Sequence, residues 1–286
     1  MTAPEDTIGI ALRDFALDQL AQVDMQLARA GAWQHTGVHE ARKAVARLRA
    51  CAELLRKSPL ADRTLERRLR SFAHGLSPLR DTQAALAAAR TLLRYTADAR
   101  AEKIWQRLIR ELKARRERVL GAALMIDPGF ASHRGQMAEI RAPINTIAWA
   151  RLQPSELVRA LERSAKRAHR ARAPALESIA EIPRHRLRRR SRRLLLQIKL
   201  LHAIAHDVTR PCASGTAHDA LHHALGKSLK RKRRTQLVGG LGWEQDLRVL
   251  RRALPIGATA SWDRNAVTIL RQALAQAQSG TNKLLD

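Results

Sequence analysis

Apolar residues recur every three or four positions along most of the chain, which is the spacing of one buried face of an α-helix. The first such segment is 8–30, where the apolar face consists of Ile8, Leu12, Phe15, Leu20, Val23 and Leu27. In the N-terminal part, the pattern predicts further helices over 38–57, from Asp62 to Tyr95 with a bend at Pro78, and over 99–125. In the C-terminal part, it predicts a helix that begins at Ser155, one over 183–207 and one that ends at Gly239 and Gly240. Two last helices are predicted over 241–254 and 262–278. Alternating runs and clusters of β-branched residues are absent from the sequence, so no strand is predicted. We expect an all-α fold.

Two regions interrupt the helical pattern. The sequence DPGFASHRG after residue 126 predicts a loop, and the segment between Pro143 and Pro154 is poorly periodic. We interpret the second region as the junction between an N-terminal helical half, 1–140, and a C-terminal helical half, 141–286, of a single domain, 1–286. A chain of 286 residues with 45% apolar residues is large enough to bury a sizeable core.

The polar faces of five predicted helices are basic. On the helix over 183–207, the residues within an arc of about 60° are His185, Arg188, Arg192 and Lys199. The other rows are His39, Arg42, Arg49 and Arg56; Arg63, Arg67, Arg70 and His74; Arg159, Arg163, Lys166 and Arg170; and His223, Lys227, Lys230 and Arg234. A single row of this kind is more typical of a solvated face, but the rows lack the alternating acids of a salt-bridged surface. The set therefore favours an anion-binding role, with Arg189 and Arg190 expected to face solvent.

The charge balance indicates the same class of partner. Lysine and arginine number 53 against 26 acidic residues, which gives a net charge of +27. Self-repulsion of this size opposes compaction and is most simply offset by a polyanion, so nucleic acid, an anionic membrane surface and inorganic polyphosphate are candidates. Aromatic residues make up only 3%, too few for the stacking platforms that hold single-stranded bases, which leaves contacts to the nucleic-acid backbone open.

The remaining features of the composition suggest a soluble cytoplasmic protein. Cys51 and Cys212 form no disulfide framework and no metal-binding spacing. No apolar run approaches the roughly 18 residues of a membrane span, and the N-terminus lacks a signal-peptide pattern.

Two short passages recur in the same order along the chain. The spacing of His39, Arg42 and Arg47 is repeated by His185, Arg188 and Arg193. A leucine-containing turn then leads to an aspartate, as L-S-P-L-R-D before residue 82 and as L-G-W-E-Q-D before residue 247. This order predicts a duplicated helical unit with a longer second copy.

These passages resemble the CHAD family, the conserved-histidine α-helical domains. The matching residues are Val38, His39, Arg42, Arg47, Arg49, Leu76, Arg80 and Asp81 in the first copy, and His185, Arg188, Arg192, Arg193, Leu194, Leu241, Gly242 and Asp246 in the second. The chain departs from the family pattern at Ala46, at Leu195 and at Ser77-Pro78.

The resemblance implies two helical bundles, of about four helices each, related by an internal pseudo-twofold repeat with a basic channel between them. It further implies that this channel binds inorganic polyphosphate without catalysis and without a cofactor. Polyphosphate- or triphosphate-processing enzymes are the implied protein partners, and polyphosphate or storage granules the implied location.

Polyphosphate carries regularly spaced charges and no bases, so its recognition depends on cations and N–H donors, for which the planar fork of arginine is well suited. The residues that we predict to bind it are His39, Arg42, Arg49, Arg63, Arg67, Arg70, His74, Arg80, Arg159, Arg163, Lys166, Arg170, His185, Arg188, Arg192, Lys199, Lys227, Lys230 and Arg234. For Arg80 a simple salt bridge is an equal alternative. We expect structural roles for Asp81 and Asp246, as helix caps or as braces for a cation. His39 and His185 are expected to face the polymer and to bind it more tightly at mildly acidic pH, because a nearby anion stabilises the imidazolium.

Two other functions are open at this point. The runner-up is a nucleic-acid backbone binder, which the basic tract KSLKRKRR also suits. The third is a metal-dependent phosphohydrolase, for which the sequence offers the pairs His206-Asp207 and His218-Asp219 and the cluster of His218, His222 and His223. The sequence contains no phosphate-binding glycine loop, no H-E-x-x-H and no nucleophile elbow, so we expect no catalysis and no metal site.

Overall fold

The computed structural model of the protein describes residues 8–96, 99–178, 180–208, 231–254 and 261–285. Within these ranges the regular structure is helical and contains no strand, which confirms the predicted all-α fold class. The helices are α1 (Ile8–Leu27), α2 (Gln34–Leu54), α3 (Arg63–Gly75), α4 (Ser77–Arg94), α5 (Ala99–Ile126), α6 (Ala131–Thr146), α7 (Pro154–Arg170), α8 (Arg172–Glu177), α9 (Glu181–Val208), α10 (Arg231–Ala253) and α11 (Ser261–Lys283). Short 3₁₀ turns occur at Gly31–Trp33, Pro128–Phe130 and Trp149–Arg151. None of the described helices has the length and apolar character that a membrane crossing requires.

Two predicted helix starts are explained by side-chain caps. Asp62 accepts hydrogen bonds from the backbone N–H groups of Thr64, at 2.7 Å, and Leu65, at 3.1 Å, so that α3 begins as expected. At the start of α7 the Gln153 N–H donates to Glu156 Oε2 over 3.1 Å, which confirms Glu156, and not Ser155, as part of the capping signal.

The predicted bend at Pro78 is instead a break between two helices. α3 ends at Gly75, and Pro78 lies in the first turn of α4, where the missing N–H of proline removes no helical hydrogen bond. The expected end at Gly239 and Gly240 is also wrong, because α10 continues through both. A side chain at residue 240 would place its Cβ 2.9 Å from Thr281 Oγ1, so the glycine permits a close approach of α11 rather than a helix end.

The predicted loop after residue 126 and the poorly periodic junction contain a helix, α6, that the sequence pattern did not indicate. Asp127 begins it by accepting hydrogen bonds from the N–H groups of Ser132, at 2.7 Å, and His133, at 3.2 Å. Pro143 lies inside α6, one turn before its end, and its missing N–H removes one hydrogen bond of the helix.

The described helices pack around two large cores and one small one. The first core joins α1, α2, α3, α6 and α7 to the second half of α9 and includes Leu48 and Leu201. The second joins α4 and α5 to α10 and α11 around Trp105 and Leu250, and the third lies around Leu187. Both large cores contain residues from the two predicted halves of the chain. The division at residue 140 and the pseudo-twofold relation stay predictions.

The packing brings the two recurring passages together. α2, which carries the first histidine passage, packs against α9, which carries the second. The helices that carry the two aspartates, α4 and α10, also pack against each other. The residues shared by the two copies therefore lie close to one another in space.

Candidate functional site

A cavity of about 610 Å³ lies among α2, α3, α7 and α9. Ten arginines, two histidines and two glutamates line it, and its described lining residues include no Phe, Tyr or Trp. The predicted site residues that it brings together are Arg42, Arg49, Arg70, His74, His185, Arg188 and Arg192. Basic rows from α2, α3 and α9 therefore face one common space.

The apolar pattern of α9 determines which of its cations reach this cavity. Leu187 and Leu201 are fully buried, and they turn one side of the helix into the protein. The opposite side carries Arg188 and Arg192 into the cavity. Lys199 belongs to the same row but is exposed and lies outside the cavity lining.

Six of the ten cavity arginines have no carboxylate partner within ion-pair distance in the described part of the chain: Arg42, Arg49, Arg188, Arg189, Arg190 and Arg192. Arg42 Nη1 donates to the carbonyl of Ala73 over 2.8 Å. The Nε atoms of Arg49 and Arg188 are buried without a hydrogen-bond partner. Burial, reinforced by neighbouring arginines, lowers the pKa of Arg42, Arg49 and Arg188 to about 10. These groups stay charged at neutral pH, so the site holds closely spaced cations that have no direct ion pair among the described residues.

Other arginines of the cavity are neutralised by glutamates. Glu53 forms ion pairs with Arg167, at 2.8 Å, and with Arg193. Glu66 lies 3.5 Å from Arg70 and 3.8 Å from Arg56. The sequence prediction of the site did not include the arginines at 56, 167 and 193. Arg56 belonged to a basic row and Arg193 to the recurring passage, whereas neither pattern contained Arg167.

Arg189 and Arg190 were both expected to face solvent, and both line the cavity. Arg189 is exposed there, in agreement with the expectation. Arg190 is half-buried, and its Nη1 donates to the carbonyl of Arg167 over 3.0 Å, so the expectation is wrong for Arg190. Because α9 packs against α2, α7 and α10, few of its positions point to bulk solvent.

Arg80 lies between the two aspartates of the recurring passages. Its Nη1 donates to Asp81 Oδ1 over 3.0 Å and its Nη2 to Asp246 Oδ1 over 2.6 Å. Arg80 is also close enough to Arg42 and Arg188 to lower the pKa of both. Two aspartates far apart in sequence thus brace one arginine beside the unpaired group.

The two histidines occupy different positions in the same cationic field. His185 lines the cavity, and its Nδ1 lies 3.2 Å from Gln245 Oε1. His39 is more exposed and lies outside the cavity lining, on the helix that carries Arg42. Burial lowers the pKa of both, and the charges of Lys43 and Arg192 lower the pKa of His39 further.

The remaining predicted site residues do not line this cavity. Arg63, Arg67, Arg159, Arg163, Lys166 and Arg170 lie elsewhere on their helices, Arg234 lines a separate cavity, and Lys227 and Lys230 fall outside the described residues. On α7 the cavity is reached by Ser164 and Arg167, which are rotated by about 100° from the predicted row. Whether any of these residues contacts a ligand stays a prediction.

The comparison with known families agrees with the recurring passages. The family model described as the CHAD domain matches residues 11–255. The chain belongs to the CHAD family. This match covers every described helix that lines the cavity and confirms the resemblance seen in the sequence. No curated protein and no solved structure matches the chain, so the CHAD assignment rests on the family model.

The structure does not describe the side chains that were considered for a phosphohydrolase. His218, Asp219, His222 and His223 fall outside the described residues, as do the side chains of His206 and Asp207. Within the described part of this CHAD chain, no group of three histidine, cysteine, aspartate or glutamate side chains is arranged to hold a metal ion.

Proposed function

We propose that the cavity between α2, α3, α7 and α9 binds inorganic polyphosphate and does not catalyse its hydrolysis. The observation that carries this proposal is the convergence of three basic helix faces on one cavity in which six arginines lack a carboxylate partner among the described residues. Phosphate oxygens are hydrogen-bond acceptors that carry negative charge, so they can use the free donors of Arg49 and Arg188 and offset the crowded cations. Membership of the CHAD family supports the same ligand.

The chemistry of the lining favours a bare phosphate chain over nucleic acid. Proteins that hold single strands add aromatic rings on which bases stack, and the described lining has none. Arginine forks need only phosphate oxygens, which polyphosphate presents at every unit without sugars or bases between them. From membership of the CHAD family, we also propose that partner proteins are enzymes that make or consume polyphosphate or triphosphate.

The test is a competition at one fixed salt concentration. The protein is first bound to a fluorescent single-stranded oligonucleotide, and long-chain polyphosphate is then added at matched phosphate concentration. We expect polyphosphate to displace the oligonucleotide, and failure to displace it would favour the nucleic-acid backbone binder. Salt dependence alone cannot decide, because both kinds of binding weaken steeply with salt. Incubation with divalent metal tests the absence of catalysis, since released orthophosphate would contradict it.

A further inference from the structure

A second cavity, of about 250 Å³, is lined by other faces of α7 and α9 together with the start of α10 and the end of the chain. One wall is apolar and includes Ala165, Ala168, Leu194 and Leu237. Of these, Ala168, Leu194 and Leu237 are buried parts of the hydrophobic packing. The first cavity has no comparable apolar wall, so the two spaces differ in kind.

The other side of the second cavity is basic. It carries His169, Arg172, Arg233 and Arg234. Arg172 Nη2 donates to the carbonyl of Leu285, and Arg233 Nε donates to the carbonyl of Leu284 over 3.2 Å. A guanidinium has five N–H donors, so each of these arginines has donors left for a ligand.

No carboxylate of the described residues pairs with Arg172, Arg233 or Arg234. Arg234 is half-buried, and burial lowers its pKa. A negatively charged ligand group would relieve that cost, while the facing apolar wall would cover a carbon group. Size sets a further limit, because a cavity of about 250 Å³ is below the roughly 300 Å³ at which sites for drug-sized ligands begin.

We infer that this cavity is a second ligand site, which binds a small phosphate monoester with one compact apolar group. The phosphate lies against the basic side formed by Arg172, Arg233 and Arg234, and the apolar group lies against Ala165 and Leu237. A long phosphate polymer does not suit this space, since half of its wall offers no donor. The site is independent of polyphosphate binding in the first cavity.

Phenyl phosphate is the probe for this site, with orthophosphate and phenol as its two separate halves. Binding is measured by calorimetry at about 0.3 M salt, where long-range attraction to the basic surface is screened. We expect saturable binding of phenyl phosphate and much weaker binding of either half.

Two variants address the two walls. Ala165→Leu fills the apolar side, and Arg233→Gln removes one cation. Each variant is expected to lower the affinity for phenyl phosphate at least about tenfold and to leave polyphosphate binding unchanged. Arg188→Gln, in the first cavity, is the matched control and should bind phenyl phosphate as the wild type does. Thermal melting verifies that each variant is folded.

Three results would overturn the inference: no saturable binding of phenyl phosphate, equal binding of orthophosphate, or unchanged affinity in both wall variants. A loss of phenyl phosphate binding in Arg188→Gln would place the ligand in the first cavity and would also overturn it.

Discussion

Arg184 and Arg188 lie one turn apart on α9, yet they are held in opposite ways. The side chain of Arg184 is 3% exposed, and its Nε and Nη2 donate to the two carboxylate oxygens of Glu244 over 2.7 and 2.6 Å. Its Nη1 donates to the carbonyl of Ala175, at 2.9 Å, and to Asn282 Oδ1, at 3.0 Å. Arg188 lines the first cavity and forms no ion pair with a carboxylate of the described residues, and its Nε has no hydrogen-bond partner. The same residue type thus joins helices at one position and is left for a ligand at the next.

The contrast extends to the arginines of the cavity and to Arg80 beside them. Arg80, Arg167 and Arg193 are paired with carboxylates, whereas Arg42 and Arg192 are not. Paired arginines hold the walls together and add little net charge. Unpaired arginines cost stability in the free protein, because burial and mutual repulsion disfavour their charged form. They are therefore the residues whose interactions improve most when an anion binds.

The largest expected effect is on the stability of the protein and comes from the ion pair of Arg184. Glu244→Gln removes the carboxylate that pairs with the buried Arg184 guanidinium and leaves it with neutral acceptors among the described residues, so the free energy of unfolding should fall by about 3–5 kcal/mol. Urea denaturation measures it. Glu40→Gln is the control, since Glu40 pairs with Lys43 near the surface and should contribute less than about 1 kcal/mol. Equal effects of the two variants would mean that the Arg184 pair is not structural.

The second largest expected effect is on polyphosphate affinity and comes from the arginines without an ion pair. Arg188→Gln combined with Arg192→Gln removes two charge-assisted contacts to phosphate, so polyphosphate affinity should fall about 100-fold. The free energy of unfolding should not decrease, because mutual repulsion is relieved at the same time. Calorimetry and urea denaturation measure the two quantities.

Arg110→Gln with Lys113→Gln, on the exposed face of α5, is the matched control for that double variant, since it removes the same formal charge away from the cavity. Its affinity should stay near that of the wild type. A comparable loss of affinity in the control would show that net charge, and not the cavity, determines binding.

A smaller effect concerns pH. The pKa values of His39 and His185 are lowered from the ordinary value of 6.5, so as the pH falls below that value the unfolded chain takes up protons first. The free protein should therefore lose stability in that range. Bound polyphosphate is expected to raise both pKa values, so that binding becomes tighter as the pH falls, by up to about tenfold for the two histidines together between pH ~7.5 and ~5.5. Calorimetry across this range should give a steeper dependence for the wild type than for His39→Ala, His185→Ala. An unchanged pH dependence in the double variant would contradict the role of the histidines.

The sequence was sufficient for the basic rows and for most of the helices, α6 being an exception, because both depend on local spacing. Apolar residues every three or four positions indicated α9 correctly, and the same periodicity placed Arg188 and Arg192 away from its buried apolar face. Local spacing did not indicate which carboxylate would face which arginine. Glu53 meets Arg193, and Glu244 meets Arg184, only because helices far apart in the sequence pack together.

The row on α7 illustrates the same limit. It repeats the offsets of the row on α3, but Arg163 and Lys166 lie on a side of α7 that does not line the cavity, because the cavity side carries Ser164 and Arg167. Periodicity gives the relative angle between residues on one helix. The rotation of that helix about its own axis comes from its packing partners.

The smallest expected effect tests this distinction directly. Arg163→Gln with Lys166→Gln removes the same charge as the Arg188 and Arg192 double variant, from a row of the same sequence type. Arg163 and Lys166 do not line the cavity, so they can act on a ligand there only through long-range attraction. Salt screens such attraction beyond about 8 Å at physiological ionic strength. We expect polyphosphate affinity to fall less than about threefold, in the calorimetric assay used for the cavity variants. A loss as large as that of Arg188→Gln with Arg192→Gln would mean that the polymer leaves the cavity and follows the outer face of α7. The basic row predicted from sequence spacing would then be a true binding surface, and the absence of a carboxylate partner would not be what distinguishes a ligand-binding arginine.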